Sequence, residues 1–169
     1  MYLRIAGTVN DSIVDGEGLR FTIFVQGCPH RCKGCHNPHT HDFDGGTVME
    51  IDELLEKIKQ NPLLDGVTFS GGEPFCQAEA LAVLGEDIKK LGLNIVTYTG
   101  YTFEDLWRRR NGVGIERLLR VTDILIDGPF IEEEKSYQLR FRGSKNQRMI
   151  DCQKSIEKGA VVEYEEAVC

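Results

Sequence analysis

Apolar residues along the chain fall into short β-branched runs that alternate with stretches of helical period. Phe21-Thr-Ile-Phe-Val-Gln26, rich in β-branched and aromatic residues, predicts a strand. Further short strands are predicted at Gly66–Ser70, Leu93–Tyr98 and Asp123–Asp127. Between them, Ile51, Leu54, Leu55 and Ile58 share one face of a helix, and Leu81, Leu84, Ile88 and Leu91 share one face of a second that stops near Gly92. A third helical stretch starts at Thr102, breaks near Asn111-Gly112 and resumes with Ile115, Leu118 and Leu119. Thr47 and Glu50 have the spacing of a capping box for the first helix, and Asn61-Pro62 ends it. The last third is less regular; Gln138–Arg142 and Val161–Tyr164 read as extended.

Strands alternating with helices predict βαβ units and an α/β fold with mainly parallel strands. The 169 residues suit a single domain, 1–169. A closed eight-fold barrel needs ~250 residues, so the pattern predicts an open partial (β/α) barrel or an open sheet. Ligands in such folds sit at the C-terminal ends of the strands. The loop after Gln26, Gly71-Gly72-Glu73, Thr99-Gly100 and Asp127-Gly128 each follow a predicted strand, so four turns should converge on one edge.

With 41% hydrophobic and 28% charged residues, the chain has the composition of an ordinary globular protein. A net charge of −7 argues against general nucleic-acid binding, because nothing would drive counterion release from phosphates. No apolar run approaches ~18 residues, so no membrane span is predicted. Met1–Thr8 lacks the apolar core of a signal peptide, and the expected location is the cytoplasm. Six cysteines in a small chain raise the prospect of disulfides, but Cys28, Cys32 and Cys35 are clustered while Cys76, Cys152 and Cys169 are scattered. That spacing fits a metal or cluster site in a reducing compartment. The scattered three read as bystanders, with Cys169 at a mobile end.

The cluster of thiols is C-P-H-R-C-K-G-C, residues 28–35. A structural zinc site or a simple electron-carrying cluster takes four protein ligands. Three thiolates on a four-iron cluster leave one iron open to chelate a ligand. Arg31 and Lys33 are placed to temper the cluster's charge, and Gly27 and Gly34 let the backbone wrap closely. Zinc is the rival occupant, since His30, His36, His39 and His41 all lie within or just after the loop and can complete a Cys3His set. The loop by itself leaves both open. In Ser70-Gly71-Gly72-Glu73-Pro74, two glycines allow a small molecule to lie against the backbone, and the Glu73 carboxylate can meet an ammonium; an isolated motif of this kind is equally a plain strand-to-helix turn. Asp15-Gly16-Glu17-Gly18 is not a dinucleotide fingerprint, because the third glycine position is Phe21. Arg140, Arg142, Lys145 and Arg148 form a basic stretch that is either a solvated face or a contact to a bound cofactor or partner, with Arg142, Ser144 and Asn146 the candidates. Glu132-Glu133-Glu134 reads as solvated loop, and Arg108-Arg109-Arg110 as an exposed helix end.

C-x3-C-x2-C followed by a post-strand G-G-E-P resembles the radical S-adenosylmethionine enzymes. D-G-E-G-L-R-F (15–21), C-P-H-R-C-K-G-C-H-N (28–37), Y-T-G-Y-T (98–102), L-I-D-G-P-F (125–130) and F-R-G-S-K-N-Q-R (141–148) resemble, more narrowly, the glycyl-radical-enzyme activases. The resemblance implies a partial barrel of the radical S-adenosylmethionine type. It implies a 4Fe–4S cluster on Cys28, Cys32 and Cys35, with S-adenosyl-L-methionine chelating the fourth iron. Electron transfer from the reduced cluster would give a 5′-deoxyadenosyl radical, which removes a hydrogen atom from a glycine of the partner. Gly34, Cys35 and His36 would lie near the adenine, Gly72 and Glu73 near the methionine end, and Arg142 against the cofactor. The partners implied are a large glycyl-radical enzyme, anaerobic ribonucleoside-triphosphate reductase in particular, and a flavodoxin-like or ferredoxin-like electron donor. Pyruvate formate-lyase is the nearer alternative partner; a zinc-stabilised binding module is the alternative of another class.

Overall fold

The computed structural model describes residues 1–165. Seven strands form one mixed sheet: β1 (Tyr2–Ser12), β2 (Arg20–Val25), β3 (Thr47–Glu50), β4 (Gly66–Gly71), β5 (Asn94–Tyr98), β6 (Ile124–Asp127) and β7 (Arg148–Asp151). Their order is β3-β1-β2-β4-β5-β6-β7. The central four, β2, β4, β5 and β6, are parallel, as the alternating pattern predicts. β1 and β3 on one side and β7 on the other join antiparallel, and the sheet does not close. Among the described residues five α-helices accompany it: α1 (Ile51–Lys59), α2 (Ala78–Lys90), α3 (Phe103–Arg108), α4 (Ile115–Val121) and α5 (Cys152–Lys158).

Alternation along the strands separates two faces. Phe21, Ile23 and Val25 of β2, with Val67 and Phe69 of β4, join Leu54, Leu81, Leu84, Ile88 and Leu118 of the helices in the main core. The opposite face carries Arg20, Thr22 and Thr68, all fully buried, and a second small cluster of Val96, Ile124, Ile126 and Met149. No helix residue belongs to that second cluster; Tyr98, Phe141 and Tyr164 pack against it instead. Buried Arg20 is satisfied by Thr68 Oγ1 at 2.7 Å and by the carbonyls of Glu17 and Val67 at 2.8 and 2.9 Å, which pins the Asp15–Gly18 turn over this face.

The fold departs from the sequence reading at several places. Thr47–Glu50 is a strand rather than a capping box, because Tyr2–Ile5 offers it a backbone ladder; Glu50 precedes α1 with no side-chain cap bond. β1 itself was unanticipated, since its apolar anchors Leu3 and Ile5 are too few to stand out. Gln138–Arg142 forms turns, with Phe141 at φ 62°, and Val161–Tyr164 contributes a single bridge, Glu163 to Ile150. β7 and α5 are short elements whose identity rests on pairing with β6 and packing against α4. Leu91, placed on the apolar face of the second helix, is a 41% exposed cap residue. The reading of Cys169 lies outside the described residues.

Candidate cluster and cofactor site

The parallel strands β2, β4, β5 and β6 end on a common edge, and a cavity of about 1000 Å³ opens there. Cys28, Cys32 and Cys35 line it, together with Gly72, Thr99 and Gly128 from the turns after β4, β5 and β6. The convergence expected from the positions of the turns is therefore present. A volume of this size sits at the upper end for small-molecule sites.

The cysteine loop is shaped by backbone geometry and anchored at both ends. Gly27 (φ 104°) and Gly34 (φ 74°) supply left-handed turns, and Arg31 adopts one at φ 50°. Gly27 N–H donates to the Thr40 carbonyl at 2.7 Å and Cys28 N–H to that of His41 at 3.2 Å, which folds the loop back on itself. Buried Gln26 donates from its amide to the carbonyls of His39 and Asp42 at 3.0 and 2.7 Å. Cys28 is buried, Cys32 and Cys35 half-buried, and all three are free thiols. Burial pushes the Cys28 thiol up, so deprotonation there calls for a cation or metal to replace the lost hydration.

Glu73 is not on the cavity wall. Its side chain is completely buried, and its carboxylate accepts from His30 Nε2 (2.7 Å), Gly100 N (2.8 Å), Thr99 Oγ1 (2.9 Å) and Phe75 N (2.9 Å). The expected contact with a ligand ammonium is thus replaced by contacts within the chain. Gly72 does face the cavity, but its missing side chain has a second reason: a Cβ there would lie 2.3 Å from the Gly27 carbonyl oxygen.

His36 and Arg142 line the cavity, His36 with its ring 5.0 Å from that of Phe130. Gly34 lies outside the lining, against the side chain of Glu132, which also approaches Lys33 at 3.8 Å. The acidic segment thus touches the cysteine loop through Glu132, while Glu132 and Glu133 remain exposed, as a solvated stretch should be. Ser144 and Asn146 serve loop structure: Ser144 Oγ donates to Asn146 Oδ1 at 2.6 Å, and Asn146 Nδ2 donates to the Pro129 carbonyl at 2.7 Å. Arg148 is held by Asp127 and Glu104, away from any ligand role. Sequence reasoning gave no role to Tyr98 or to most of the Val9–Asp15 segment and named His41 only as a possible zinc ligand, yet all contribute to the wall. Only the polar turn at Asp15–Gly18 hinted at that segment.

Two buried polar atoms among the described residues have no hydrogen-bond partner, Arg142 Nε and His41 Nε2, and both residues line this cavity. An unpaired buried donor is costly, so Arg142 Nε–H is fitted to an anionic group such as a carboxylate. Three free thiols and this donor on one wall fit an iron–sulfur cluster with an amino-acid ligand. No three His, Cys, Asp or Glu side chains among the described residues are gathered closely enough to hold a single metal ion.

A family model described as a 4Fe–4S single cluster domain matches residues 14–150. The chain belongs to this 4Fe–4S single cluster family. Curated reductase-activating proteins are matched over nearly their full length. The chain is 35% identical over 145 residues to the anaerobic ribonucleoside-triphosphate reductase-activating protein of Haemophilus influenzae, covering 80% of this chain and 89% of that protein. It is 31% identical over 148 residues to the protein of that name from Escherichia coli K12, covering 80% and 90%. The pyruvate formate-lyase-activating enzyme of Clostridium pasteurianum is 35% identical over 138 residues, 78% of this chain but 54% of that enzyme. The crystal structure of QueE from Escherichia coli superposes with a TM-score of 0.48 at 22% identity, over 60% of this chain and 54% of that one. Cys28, Cys32 and Cys35 lie within the matched span and fit a cluster motif, and that span contains all four convergent turns.

Proposed function

We propose that the protein is a radical S-adenosylmethionine activase that installs the glycyl radical of anaerobic ribonucleoside-triphosphate reductase. The observation that carries this is the trio of free thiols on the wall of a cavity shared with three strand-end turns, in a chain 35% identical to a reductase-activating protein. Cys28, Cys32 and Cys35 hold a 4Fe–4S cluster, and S-adenosyl-L-methionine binds beside it. When bound, the reduced cluster and S-adenosyl-L-methionine supply the 5′-deoxyadenosyl radical that takes a hydrogen atom from the partner's glycine.

This chain's own residues bind and orient. The Gly72 backbone receives the methionine end, Arg142 Nε–H meets its carboxylate, and Cys35, His36 and the adjoining Gly34 backbone border the adenine. Residues 1–169 act as one radical S-adenosylmethionine domain. Helices belong to the main core on one face of its sheet and the cavity lies at the strand ends; we read this as an open partial barrel whose open side admits a large protein substrate. A flavodoxin-like or ferredoxin-like donor supplies electrons in a reducing cytoplasm. No helix among the described residues is long and apolar enough to cross a membrane.

Anaerobic protein supplied with iron and sulfide is expected to turn brown and, once reduced, to release 5′-deoxyadenosine and methionine from S-adenosyl-L-methionine. With the reductase present, electron paramagnetic resonance should then show a glycyl radical. A colourless protein with one tightly held zinc would reject the assignment. A radical on pyruvate formate-lyase but not on the reductase would transfer it to the other activase class, which the Clostridium relative represents.

A further inference from the structure

We propose that Glu73 and His30 form a clamp that positions the cysteine loop, so that Glu73 acts on a bound cluster through His30 and touches neither cluster nor cofactor. The inference rests on the reading of this loop as cluster-bearing, and it concerns residues that reading does not use.

His30 lies between Cys28 and Cys32, and its Nε2 is 2.7 Å from Glu73 Oε1. The backbone N–H groups of Phe75 and Gly100 already donate to this carboxylate, and the imidazole tautomer with its hydrogen on Nε2 makes His30 a further donor. The carboxylate also accepts from the Thr99 hydroxyl, which reaches both oxygens at 2.9 and 3.0 Å. One fully buried group thus joins the cysteine loop to the turns after β4 and β5.

The imidazole is fixed from other sides too. Its ring meets the Tyr101 ring edge-on, with centroids 4.6 Å apart at 75°. A Cβ on Gly100 would fall 2.5 Å from the His30 ring, so the absence of a side chain at 100 is what admits the imidazole. Backbone bonds complete the seat: Glu73 N–H donates to the Gly27 carbonyl at 2.8 Å and Gly72 N–H to that of Val25 at 2.8 Å. Between Cys28 and Cys32 the chain turns through the left-handed Arg31, so without an anchor at His30 the spacing of these thiols would be free to drift. Groups behind metal ligands set ligand orientation, and losing one typically costs about 10- to 100-fold in metal affinity. The clamp is that kind of support, delivered to a loop rather than to a single ligand.

The test uses the full-length protein, anaerobically loaded with iron and sulfide. The variants are His30→Leu, His30→Gln, Glu73→Gln and the double His30→Leu/Glu73→Gln. The readouts are the rate of iron release to an iron(II) chelator and the low-temperature resonance spectrum of the reduced cluster without S-adenosyl-L-methionine. His30→Leu should release iron about tenfold faster and alter the spectrum. His30→Gln, whose amide can still donate to Glu73, should recover most of both. The double variant should be no faster than the worse single one, the non-additivity of one coupled unit. Iron release at the parent rate in His30→Leu, no recovery in His30→Gln, or multiplied effects in the double variant would overturn the clamp alone. Should Glu73→Gln fail to fold, the Leu and Gln variants at position 30 decide the matter. A parent protein that takes up no cluster would overturn the function and the clamp together.

Discussion

Tyr98 donates its hydroxyl to the carbonyl oxygen of Phe141 at 2.7 Å, tying the last residue of a central parallel strand to the loop that carries Arg142. Phe141 sits at φ 62°, a conformation that costs an L-residue about 1–2 kcal/mol. The bond, and packing of Phe141 on the second hydrophobic cluster, hold it there. Tyr98→Phe is expected to lose about 1 kcal/mol of stability and to weaken S-adenosyl-L-methionine binding by loosening Arg142. Urea titration of the metal-free protein checks the first effect, and cofactor titration of the cluster signal the second.

Arg142 makes one long hydrogen bond, from Nη1 to the Gln147 carbonyl at 3.4 Å, and leaves Nε–H buried and unpaired. A charge-assisted bond to a carboxylate is worth about 1.5–3 kcal/mol. Arg142→Met should therefore weaken cofactor binding by about 10-fold or more while leaving the urea midpoint unchanged. An unchanged affinity would remove Arg142 from the cofactor's surroundings.

Gly72→Ala separates two roles of that glycine. Its Cβ would press on the Gly27 carbonyl, so the cysteine loop has to move. The expected cost is about 2 kcal/mol, read as a lower melting temperature in the metal-free protein. A variant as stable as the parent that binds cofactor poorly would instead place the constraint on the ligand side.

Cys28→Ala distinguishes a cluster enzyme from a zinc-stabilised module. None of Cys28, Cys32 and Cys35 belongs to either hydrophobic cluster, so the βα core should stand without them. Circular dichroism should show a folded protein, within about 1 kcal/mol of the parent's stability, that holds no stable cluster. An unfolded variant would favour the zinc module.

Alkaline destabilisation should report on Cys152. Burial pushes this fully enclosed thiol up to about 12 from an ordinary 9.0. Below the unfolded value both states keep the proton, and the contribution is fully present. As pH rises past it, the unfolded chain releases the proton first, so stability is lost up to the folded value. Cys152→Ala lowers stability at neutral pH by leaving a cavity, but its deficit relative to the parent should shrink from about pH 8 to about pH 10.5. A constant deficit would show that the folded thiol releases its proton as readily as the unfolded one, so that burial does not raise it.

How much was legible depended on whether the signal was local. The central strands, the apolar faces of α1 and α2 and the break between α3 and α4 follow from residue period and turn chemistry, and the structure has them where the pattern puts them. The three-thiol loop and the strand-end positions of the glycine turns were equally local. β1 and β3 were not: each is a strand because the other, or β2, lies alongside, and Thr47–Glu50 abandons a good capping pattern for that ladder. Glu73 shows the same limit at the site. Its sequence neighbours suggest an exposed carboxylate beside two glycines, yet residues 43 positions before it and 26 or 27 after it consume that carboxylate. The sequence determined the chemistry, three sulfur donors and the turns around them, because composition and spacing are properties of the chain itself. Tertiary structure decided which polar groups remain available to a ligand, because a hydrogen bond spent between distant segments removes a donor or acceptor that no local pattern can reveal.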